Sequence, residues 1–427
     1  MREYESFIFR SYDFNMEQKT LSCSYAYDDD LTFIENYIFD FPFAPDIDNK
    51  ALDIAFQTLF FMAGVSYYKM YLANKIVVEK GQLDIASAQF FSKTYQKGLG
   101  EFFFKNNIHP NRAVVFPVNT ETIEALPTKH GSGKIVAIGG GKDSLLSTEI
   151  LRSEQDLSTW SLGHRQQLTP LIDRINLPHL WVERKLDTQI MQHNDTGAYN
   201  GHIPISAIFA ATGTIVALLS GNRDVVVSNE NSANDPTLFY QGVAINHQYS
   251  KSLEFEIDFQ KYLQNRLGDG VRYYSLLRPF SELSIAEMFS KYFYKYKDVF
   301  SSCNRAFTQK ADGLFWCGQC AKCAFTFLIL TPFISRQDLE SLWGHNLLLD
   351  AGLERIYEQL LGIQGDKPLD CVGEIRESRA AMRLAQEVYP ELRKYHFDLP
   401  LDYDWHEIKQ DSMPVEIRTV LMRQIAI

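Results

Sequence analysis

Between residues 134 and 277 the chain alternates short apolar runs with longer segments whose apolar residues recur at helical spacing. The short runs are typical of strands buried on both faces, and the longer segments are typical of amphipathic helices. The predicted strands are KIVAIGG, STWSLG, HLWVE, DVVVSN and VRYYSLL, and the predicted helices are SLLSTEILRS, PISAIFAATGTIVALLSG and SLEFEIDFQKYLQNRL. This alternation predicts an α/β fold, in which a doubly wound parallel sheet has helices on both faces.

The regions on either side carry different patterns. The first part mixes aromatic-rich segments with one clear helix, DNKALDIAFQTLFFMAGVSYYKMYL, which Asp48 or Asn49 can cap. The segment ALPTKHGSG after it has the residues of a linker, and from about Ser335 the spacing is helical again. We therefore expect an N-terminal mixed α/β domain over residues 1–130, a central α/β domain over 131–335 and a C-terminal helical region over 336–427.

Composition and charge narrow the class of protein. The 427 residues are 45% apolar and 22% charged, as in an ordinary globular enzyme. A formal net charge of -11 argues against a protein that binds nucleic acid by bulk attraction. No apolar window has the length of a membrane span, and the first residues lack the basic and apolar regions of a signal peptide. We expect a cytoplasmic enzyme with neither a nucleic-acid nor a membrane partner.

A glycine-rich loop, GGGKDS, joins the first central strand to its helix. It is not the nucleotide loop of kinases and GTPases, because Lys142 is followed by Asp143 instead of Ser or Thr, and it lacks the third glycine of a dinucleotide fingerprint. Glycines let backbone amides face a phosphate, and the helix directs its positive end at the same anion. Asp143 beside a phosphate requires an intervening magnesium ion. The predicted nucleotide-binding residues are Gly139, Gly140, Gly141, Lys142, Asp143 and Ser144.

Four of the six cysteines lie close together in SSCNRAFTQKADGLFWCGQCAKCAF. Cys303, Cys317, Cys320 and Cys323 are enough to close a tetrahedral zinc site, which would be structural because every ligand is a cysteine. The same spacing also suits an iron–sulfur cluster, and buried apolar cysteines are a third interpretation.

The loop GGGKDS resembles the S-G-G-x-D-S loop of the PP-loop ATP pyrophosphatase superfamily, with Gly139 where serine is commoner. That resemblance implies a PP-loop fold, with ATP and Mg²⁺ as cofactors. It also implies cleavage of ATP between the α and β phosphates, with the loop holding pyrophosphate while a carboxylate or amide oxygen of the substrate attacks the α phosphate. The product would be an adenylated substrate.

Two branches of the superfamily resemble the chain. Residues 134–333 are similar to 7-cyano-7-deazaguanine synthases, which have neither a long N-terminal domain nor a helical tail. The whole chain resembles the MurL family, the UDP-N-acetyl-α-D-muramoyl-L-alanyl-L-glutamate epimerases of peptidoglycan precursor synthesis. The matching segments are GVSYYK, GLGEFFFKNN, GGGKDS, NGHIPISA, SNENSAN, the cysteine loop and KPLDCVGE. A transfer-RNA thiolase or a nucleotide sensor is a further alternative, although the net charge fits RNA binding badly.

The MurL resemblance implies an isomerase that adenylates the α-carboxylate of the terminal L-Glu in UDP-MurNAc-L-Ala-L-Glu. Neutralising that carboxylate acidifies the α-hydrogen, so groups of intermediate pKa must remove and return the proton. The candidate catalytic residues are Lys142, Asp143, His202, Glu230 and Cys371. The candidate substrate-binding residues are Asn200, His202, Asn229, Glu230, Asn231 and Asn234. His202 as a surface histidine and Cys371 as a packed side chain are the alternative interpretations.

Overall fold

The computed structural model describes residues 2–126, 128, 131–307 and 313–425 of the chain. Within them the strands form one sheet of nine and a separate hairpin of two. The strands are β1 Ser6–Asn15, β2 Thr20–Tyr27, β3 Leu31–Asp40, β4 Lys75–Val78, β5 Lys134–Ala137, β6 Leu157–Leu162, β7 His179–Lys185, β8 Asp224–Val227, β9 Leu238–Tyr240, β10 Val243–Ile245 and β11 Arg272–Ser275.

Helices surround the sheet. The α-helices are α1 Asn49–Ala63, α2 Val65–Tyr68, α3 Ile85–Gly98, α4 Gly100–Lys105, α5 Lys142–Leu151, α6 Arg165–Ile175, α7 Gln189–Asp195, α8 Ile205–Ser220, α9 Leu253–Leu267, α10 Glu282–Ser290, α11 Phe293–Tyr296, α12 Ala321–Leu330, α13 Arg336–Trp343, α14 Glu354–Leu360, α15 Ile375–Val388 and α16 Val415–Ile425. Short 3-10 helices span Asn231–Asn234, Tyr249–Lys251, Asn304–Phe307, Leu347–Leu349, Ala351–Leu353 and Pro390–Lys394.

The strand order of the large sheet is β11-β8-β5-β6-β7-β3-β2-β1-β4. The five predicted strands are confirmed as β5, β6, β7, β8 and β11, which pair in parallel. The strands β1 to β3, which the sequence analysis did not assign, extend the same sheet through an antiparallel pairing of β3 with β7. One sheet therefore contains strands from both sides of residue 130. The division into domains at residues 1–130, 131–335 and 336–427 stays a prediction.

The strand directions bring the two halves of the sheet to one common edge. Because β3 is antiparallel to β7, β3 begins at the edge where the parallel strands end. The antiparallel pairings of β2 and β1 and the parallel pairing of β4 then put the beginnings of β1 and β4 there as well. We call this the site edge: it comprises the carboxyl ends of β5, β6, β7, β8 and β11 and the beginnings of β1, β3 and β4.

The core has two parts, one on each face of the sheet. In β5, Ile135 packs with the aromatic-rich core of the N-terminal region, whereas Val136 packs with residues of α5, α10 and α12. Successive strand residues point to opposite faces, so the parallel strands are apolar throughout. Residues of the C-terminal helices also belong to the second part of the core, among them Leu339 in α13 and Leu421 in α16. The C-terminal region therefore packs on the sheet and brings its loops near the site edge.

The predicted helix at residues 48–72 consists of α1 followed by α2. Asp48 caps α1 by accepting hydrogen bonds from the backbone amides of Lys50 and Ala51. Gly64 joins the two helices, and a Cβ there would lie 2.5 Å from the ring of Phe9. The helix thus packs directly against β1. In the described residues, no helix is both long and apolar enough to cross a membrane.

Candidate active site

Residues 139–144, which we call the phosphate loop because they are predicted to bind phosphate, lie where β5 ends and α5 begins. Gly140 has φ +90°, and a Cβ there would lie 2.8 Å from the ring of Phe307 and 3.0 Å from the carbonyl oxygen of Ser301. The carbonyl oxygen of Gly140 accepts a hydrogen bond from the amide of Ser301 at 2.9 Å. Only glycine meets both demands, the left-handed backbone and the close approach. The segment that precedes the first cysteine of the cluster therefore supports the loop from one side.

Gly139, where serine is commoner in the superfamily, has a different environment. Among the described residues, Gly139 and its two chain neighbours aside, no heavy atom lies within 4 Å of an ideal Cβ at Gly139. A serine would fit there, so sterics do not require the glycine. At the end of the loop, the Ser144 hydroxyl donates to the carbonyl oxygen of Gly141 at 3.1 Å and stabilises the first turn of α5.

Three carboxylates meet at the start of α5. Asp143 is in the first turn of α5, Glu230 follows β8, and Glu282 begins α10, yet each offers a ligand atom within 4.8 Å of the others. The Lys142 ammonium lies among them and donates to both Asp143 and Glu282. Glu230 and Glu282 are buried. Hard oxygen ligands in this number fit a magnesium ion.

The electrostatics of this cluster follow from crowding. Burial is the main cause that raises the pKa of Glu282 to about 7. The charge of Lys142 opposes this shift, and repulsion by Asp143 and Glu230 adds to it. Burial also disfavours ionisation of Glu230, but Lys251, Lys322 and Lys142 hold its pKa below the usual value. Two buried acids and the half-buried Asp143, beside one partnered ammonium, attract additional positive charge. The cluster therefore suits a divalent cation.

Glu282 was not among the residues predicted from the sequence. The sequence signal for Glu282 is modest. A serine before an apolar helical pattern predicts a helix start, and Ser281 does cap α10 by accepting from the amide of Ser284. A glutamate in a first helical turn is common, because it is favoured by the helix dipole. Only the packing of α10 against α5 gives Glu282 its neighbours.

A second group of side chains surrounds Cys371. The Lys251 ammonium donates to the Cys371 sulfur at 3.2 Å. Burial opposes the charge on Lys251, but Cys371 and Glu230 together raise its pKa above the ordinary value. The fully buried Arg278 donates to the Glu230 carbonyl oxygen at 2.6 Å and also to that of Lys251. Arg278 thus fixes the backbone of both residues, and Cys371 has a cationic neighbour in the site.

A third pair consists of His202 and Glu101, and the charge of Cys371 acts on Glu101. The His202 Nδ1 is 3.4 Å from a Glu101 carboxyl oxygen. Burial is the main cause that raises the pKa of Glu101 to about 7. The charge of Lys105 opposes this shift, and repulsion by Cys371 and Asp370 adds to it. Burial, followed by electrostatic repulsion from His247, Lys251 and Lys69, lowers the pKa of His202 to about 4. At neutral pH the imidazole is uncharged, so this contact is not an ion pair. Glu101, which is not among the site residues predicted from the sequence, has the intermediate pKa that proton transfer requires.

The predicted asparagines are held by backbone and side-chain contacts. The Asn200 Oδ1 accepts from the Lys69 ammonium at 3.0 Å, and the Asn229 carbonyl oxygen accepts from the Ser275 hydroxyl at 2.6 Å. The Asn234 Oδ1 accepts from the amide of Leu253, the first residue of α9, at 2.7 Å. The Asn234 amide group donates to Asn231, which donates to Glu374. Asn231 and Asn234 thus order the segment that carries Glu230.

The four cysteine sulfurs lie within 4.8 Å of one another. The Cys303–Cys320 and Cys317–Cys323 sulfur pairs are 3.9 and 3.8 Å apart. Four sulfurs around one zinc at a Zn–S distance of about 2.3 Å are about 3.8 Å apart. The thiolates of a four-iron cluster each bind a different iron and must stand farther apart. The sulfur positions thus fit one tetrahedral ion.

Two family models match the chain. The MurL N-terminal domain matches residues 1–276, and the MurL C-terminal domain matches residues 299–395. The first match includes the phosphate loop and all of the nine-stranded sheet, and the second includes the four cysteines and Cys371. No solved structure matches the chain.

Three curated relatives are each named UDP-N-acetyl-alpha-D-muramoyl-L-alanyl-L-glutamate epimerase. The protein from Xanthomonas oryzae pv. oryzae is 40% identical over 84% of this chain and 80% of its own length. The Salinispora tropica protein is 34% identical over 91% of this chain and 86% of its own length. The Micromonospora protein is 33% identical over 91% of this chain and 88% of its own length. The chain therefore belongs to the MurL epimerase family and is an isomerase.

Proposed function

We propose that this enzyme converts the terminal L-Glu of UDP-MurNAc-L-Ala-L-Glu to D-Glu, as its relatives' name states, in peptidoglycan precursor synthesis. ATP is the co-substrate, and AMP and pyrophosphate are released. The observation that carries the proposal is the meeting of three groups at the site edge: the phosphate loop, the carboxylates Asp143, Glu230 and Glu282, and the pair Lys251–Cys371. Together they supply a nucleotide site, a cation site and a proton donor or acceptor.

Adenylation is the first step. An oxygen of the glutamate α-carboxylate attacks the α phosphorus of ATP, and the bond from that phosphorus to the bridging oxygen breaks to release pyrophosphate. The amides of Gly139 to Gly141 and the start of α5 bind the departing anion. Asp143, Glu230 and Glu282 would hold Mg²⁺, which lowers the cost of bringing the phosphates beside acids. Lys142 supplies a further cationic contact.

Proton transfer is the second step. The mixed anhydride carries no carboxylate charge, so its α-hydrogen is more acidic. One group removes that proton, another returns a proton on the opposite face, and water then cleaves the anhydride to AMP and the D-glutamyl product. Cys371, with its sulfur beside the Lys251 ammonium, and Glu101, with its raised pKa and contact to His202, are the two groups proposed for this role.

The cysteine cluster is proposed as a structural zinc site. Its ligand set is complete with four thiolates, so no position is open for substrate. The segment it ties down includes Ser301, whose amide holds the carbonyl oxygen of Gly140. Zinc would therefore act on catalysis through the position of the phosphate loop.

The proposal is tested by incubating the full chain with ATP, Mg²⁺ and UDP-MurNAc-L-Ala-L-Glu. AMP and pyrophosphate are quantified, and the glutamate is analysed for chirality after hydrolysis. We expect D-Glu to form, with AMP released at least once per conversion. Asp143→Ala should abolish AMP formation, whereas Asp195→Ala, an exposed position at the end of α7, should not change it.

The outcomes separate the alternatives. AMP formation from a deazaguanine carboxylate, with none from the muramoyl dipeptide, would contradict the proposed substrate. D-Glu formation without ATP would contradict adenylation. Full activity of Asp143→Ala would remove Asp143 from the magnesium site.

A further inference from the structure

The proposed substrate extends well beyond its reacting glutamate, so it needs a second binding region. The dipeptide itself spans only about 7 Å when extended. The muramoyl sugar, the diphosphate and the uridine extend beyond it, away from the reacting glutamate. The binding site for the nucleotide end of that substrate can be inferred from the structure, provided that the proposed function is correct.

A cavity of about 650 Å³ opens at the beginning of β1. This volume lies within the range of small-molecule sites. Its lining includes Tyr4, Tyr71, Tyr199, Arg2 and Arg112, together with the carboxylates of Glu3 and Glu5. We call it the tyrosine cavity.

The tyrosine cavity lies at the site edge. It includes residues that immediately precede β1 and β4, which begin at the edge where β5 and β8 end. β1 is five strands from β5. At about 4.8 Å per strand, this corresponds to roughly 24 Å along the sheet. A long ligand lying along this edge would place its two ends at two separate sites.

One segment connects the two sites. Tyr199 lines the cavity, and His202, three residues later, contacts Glu101, one of the two groups proposed for proton transfer. Three residues span at most about 11 Å. The segment is fixed in place because the Tyr199 amide donates to the Met70 carbonyl oxygen at 2.9 Å and Lys69 donates to Gly201 at 2.8 Å.

The chemistry of the lining suits a nucleoside diphosphate. The ring centroids of Tyr4 and Tyr71 are 4.8 Å apart, and such aromatic surfaces stack on nucleobases. The Arg112 guanidinium is oriented by the Leu72 carbonyl oxygen at 2.6 Å, and Arg2 lies 5.0 Å from the Tyr4 ring centroid. Guanidinium groups match phosphate oxygens, and carboxylates such as Glu3 accept hydrogen bonds from ribose hydroxyls.

We propose that the tyrosine cavity binds the uridine diphosphate end of the substrate, while the dipeptide extends along the Tyr199–His202 segment to Cys371. The cavity then selects substrates by their nucleotide and takes no part in ATP cleavage.

Direct binding of UDP to the full chain tests this without any turnover. Calorimetry should detect UDP binding to the wild type, and Tyr199→Ala and Arg2→Ala should each weaken it about tenfold or more. Arg2 is 63% exposed, so its replacement leaves the core intact if Tyr199→Ala fails to fold. Tyr294→Ala, at an exposed tyrosine far along the chain on α11, is the control and should bind UDP normally.

Steady-state kinetics give the second measurement. With UDP-MurNAc-L-Ala-L-Glu, the cavity variants should raise KM about tenfold with little change in kcat or in the KM for ATP. With MurNAc-L-Ala-L-Glu, which lacks the nucleotide, the same variants should match the wild type.

Three results would overturn the inference: no UDP binding to the wild type, folded Arg2→Ala and Tyr199→Ala that bind UDP normally, or ADP binding that these variants weaken as much as UDP binding. Failure of the proposed function is distinguishable, because then neither dipeptide substrate would yield AMP while UDP binding would remain measurable.

Discussion

At the scale of single residues, Glu101 is one of the two groups proposed for proton transfer. Burial and the nearby Cys371 and Asp370 raise its pKa to about 7, so its ionised fraction increases with pH across neutrality. Glu101→Gln removes this titration. We expect deuterium exchange from solvent into the glutamate α-carbon to fall about 10²- to 10⁴-fold, while AMP formation continues.

The pH profile gives an independent measurement of Glu101. In the wild type the exchange rate should rise with pH through about 7, and in Glu101→Gln this rise should be absent. Glu121→Gln, at an exposed position, is the control and should keep the wild-type profile. An unchanged exchange rate in Glu101→Gln would exclude Glu101 as the base.

His247 links pH to stability. Burial, Lys251 and Lys367 lower its pKa to about 4 in the folded chain, against about 6.5 in the unfolded chain. The unfolded state therefore binds the proton first as pH falls, and stability present above pH 6.5 is lost toward pH 4. His247 should account for about 2 kcal/mol of lost unfolding free energy between pH 7 and pH 5.

Urea unfolding at the two pH values measures that loss. His247→Gln should show a smaller decrease between pH 7 and pH 5 than the wild type, whatever its absolute stability. His109→Gln, at an exposed loop position, should behave as the wild type does. Equal decreases in all three proteins would contradict the assignment.

At the scale of elements, two neighbouring glycines of the phosphate loop differ in whether a side chain would fit. Gly140 has no room for a Cβ, whereas Gly139 does. Gly140→Ala should reduce AMP formation at least about tenfold, because a left-handed residue with a Cβ costs about 1–2 kcal/mol and this Cβ would also strike Phe307. Gly139→Ser should stay within about twofold of the wild type, because the space beside Gly139 is open. The reverse order of the two activities would refute this account of the loop.

The cysteine segment supports that loop from outside. Cys317→Ser should lower the zinc content from one equivalent toward zero and reduce the melting temperature, because one of four ligands is lost. Cys371→Ser, outside the cluster, should keep one equivalent. Metal analysis of the purified proteins provides the measurement, and iron in place of zinc would indicate a cluster instead.

At the scale of the whole molecule, a buried ion pair joins the antiparallel and parallel halves of the sheet. Arg184 in β7 donates to Glu35 in β3 at 2.5 Å, and Glu35 is fully buried. Glu35→Ala leaves a buried charge unpaired and should cost about 3–5 kcal/mol of unfolding free energy. Glu354→Ala, which breaks the exposed pair with Lys394, should cost at most about 1 kcal/mol.

A single unfolding transition is expected for Glu35→Ala, as for the wild type, because β3 and β7 belong to one sheet. Separate transitions for residues 1–130 and for the remainder would support the predicted division into independent domains.

Much of the fold could be predicted because its signals are local. The five parallel strands are apolar on both faces, and Ser252 caps α9 as its position before an apolar helical pattern indicates. In β3 the buried and exposed positions alternate, but the sequence obscures this period, because Ile34 is exposed and Glu35 is buried. The place of β3 in the same sheet as β5 was not predictable, because no local pattern states which strand pairs with β7.

The sequence by itself determined the glycine-rich strand-to-helix loop, the cysteine cluster and the family, because each depends on residues close together in the chain or on motifs in a fixed order. Only the tertiary structure decided that Glu282 joins Asp143, that Lys251 contacts Cys371 and that Glu101 acquires an intermediate pKa. These properties arise from burial and from charges brought together across long stretches of chain. Proton-transfer chemistry depends on such neighbours, and neighbours in space are set by packing.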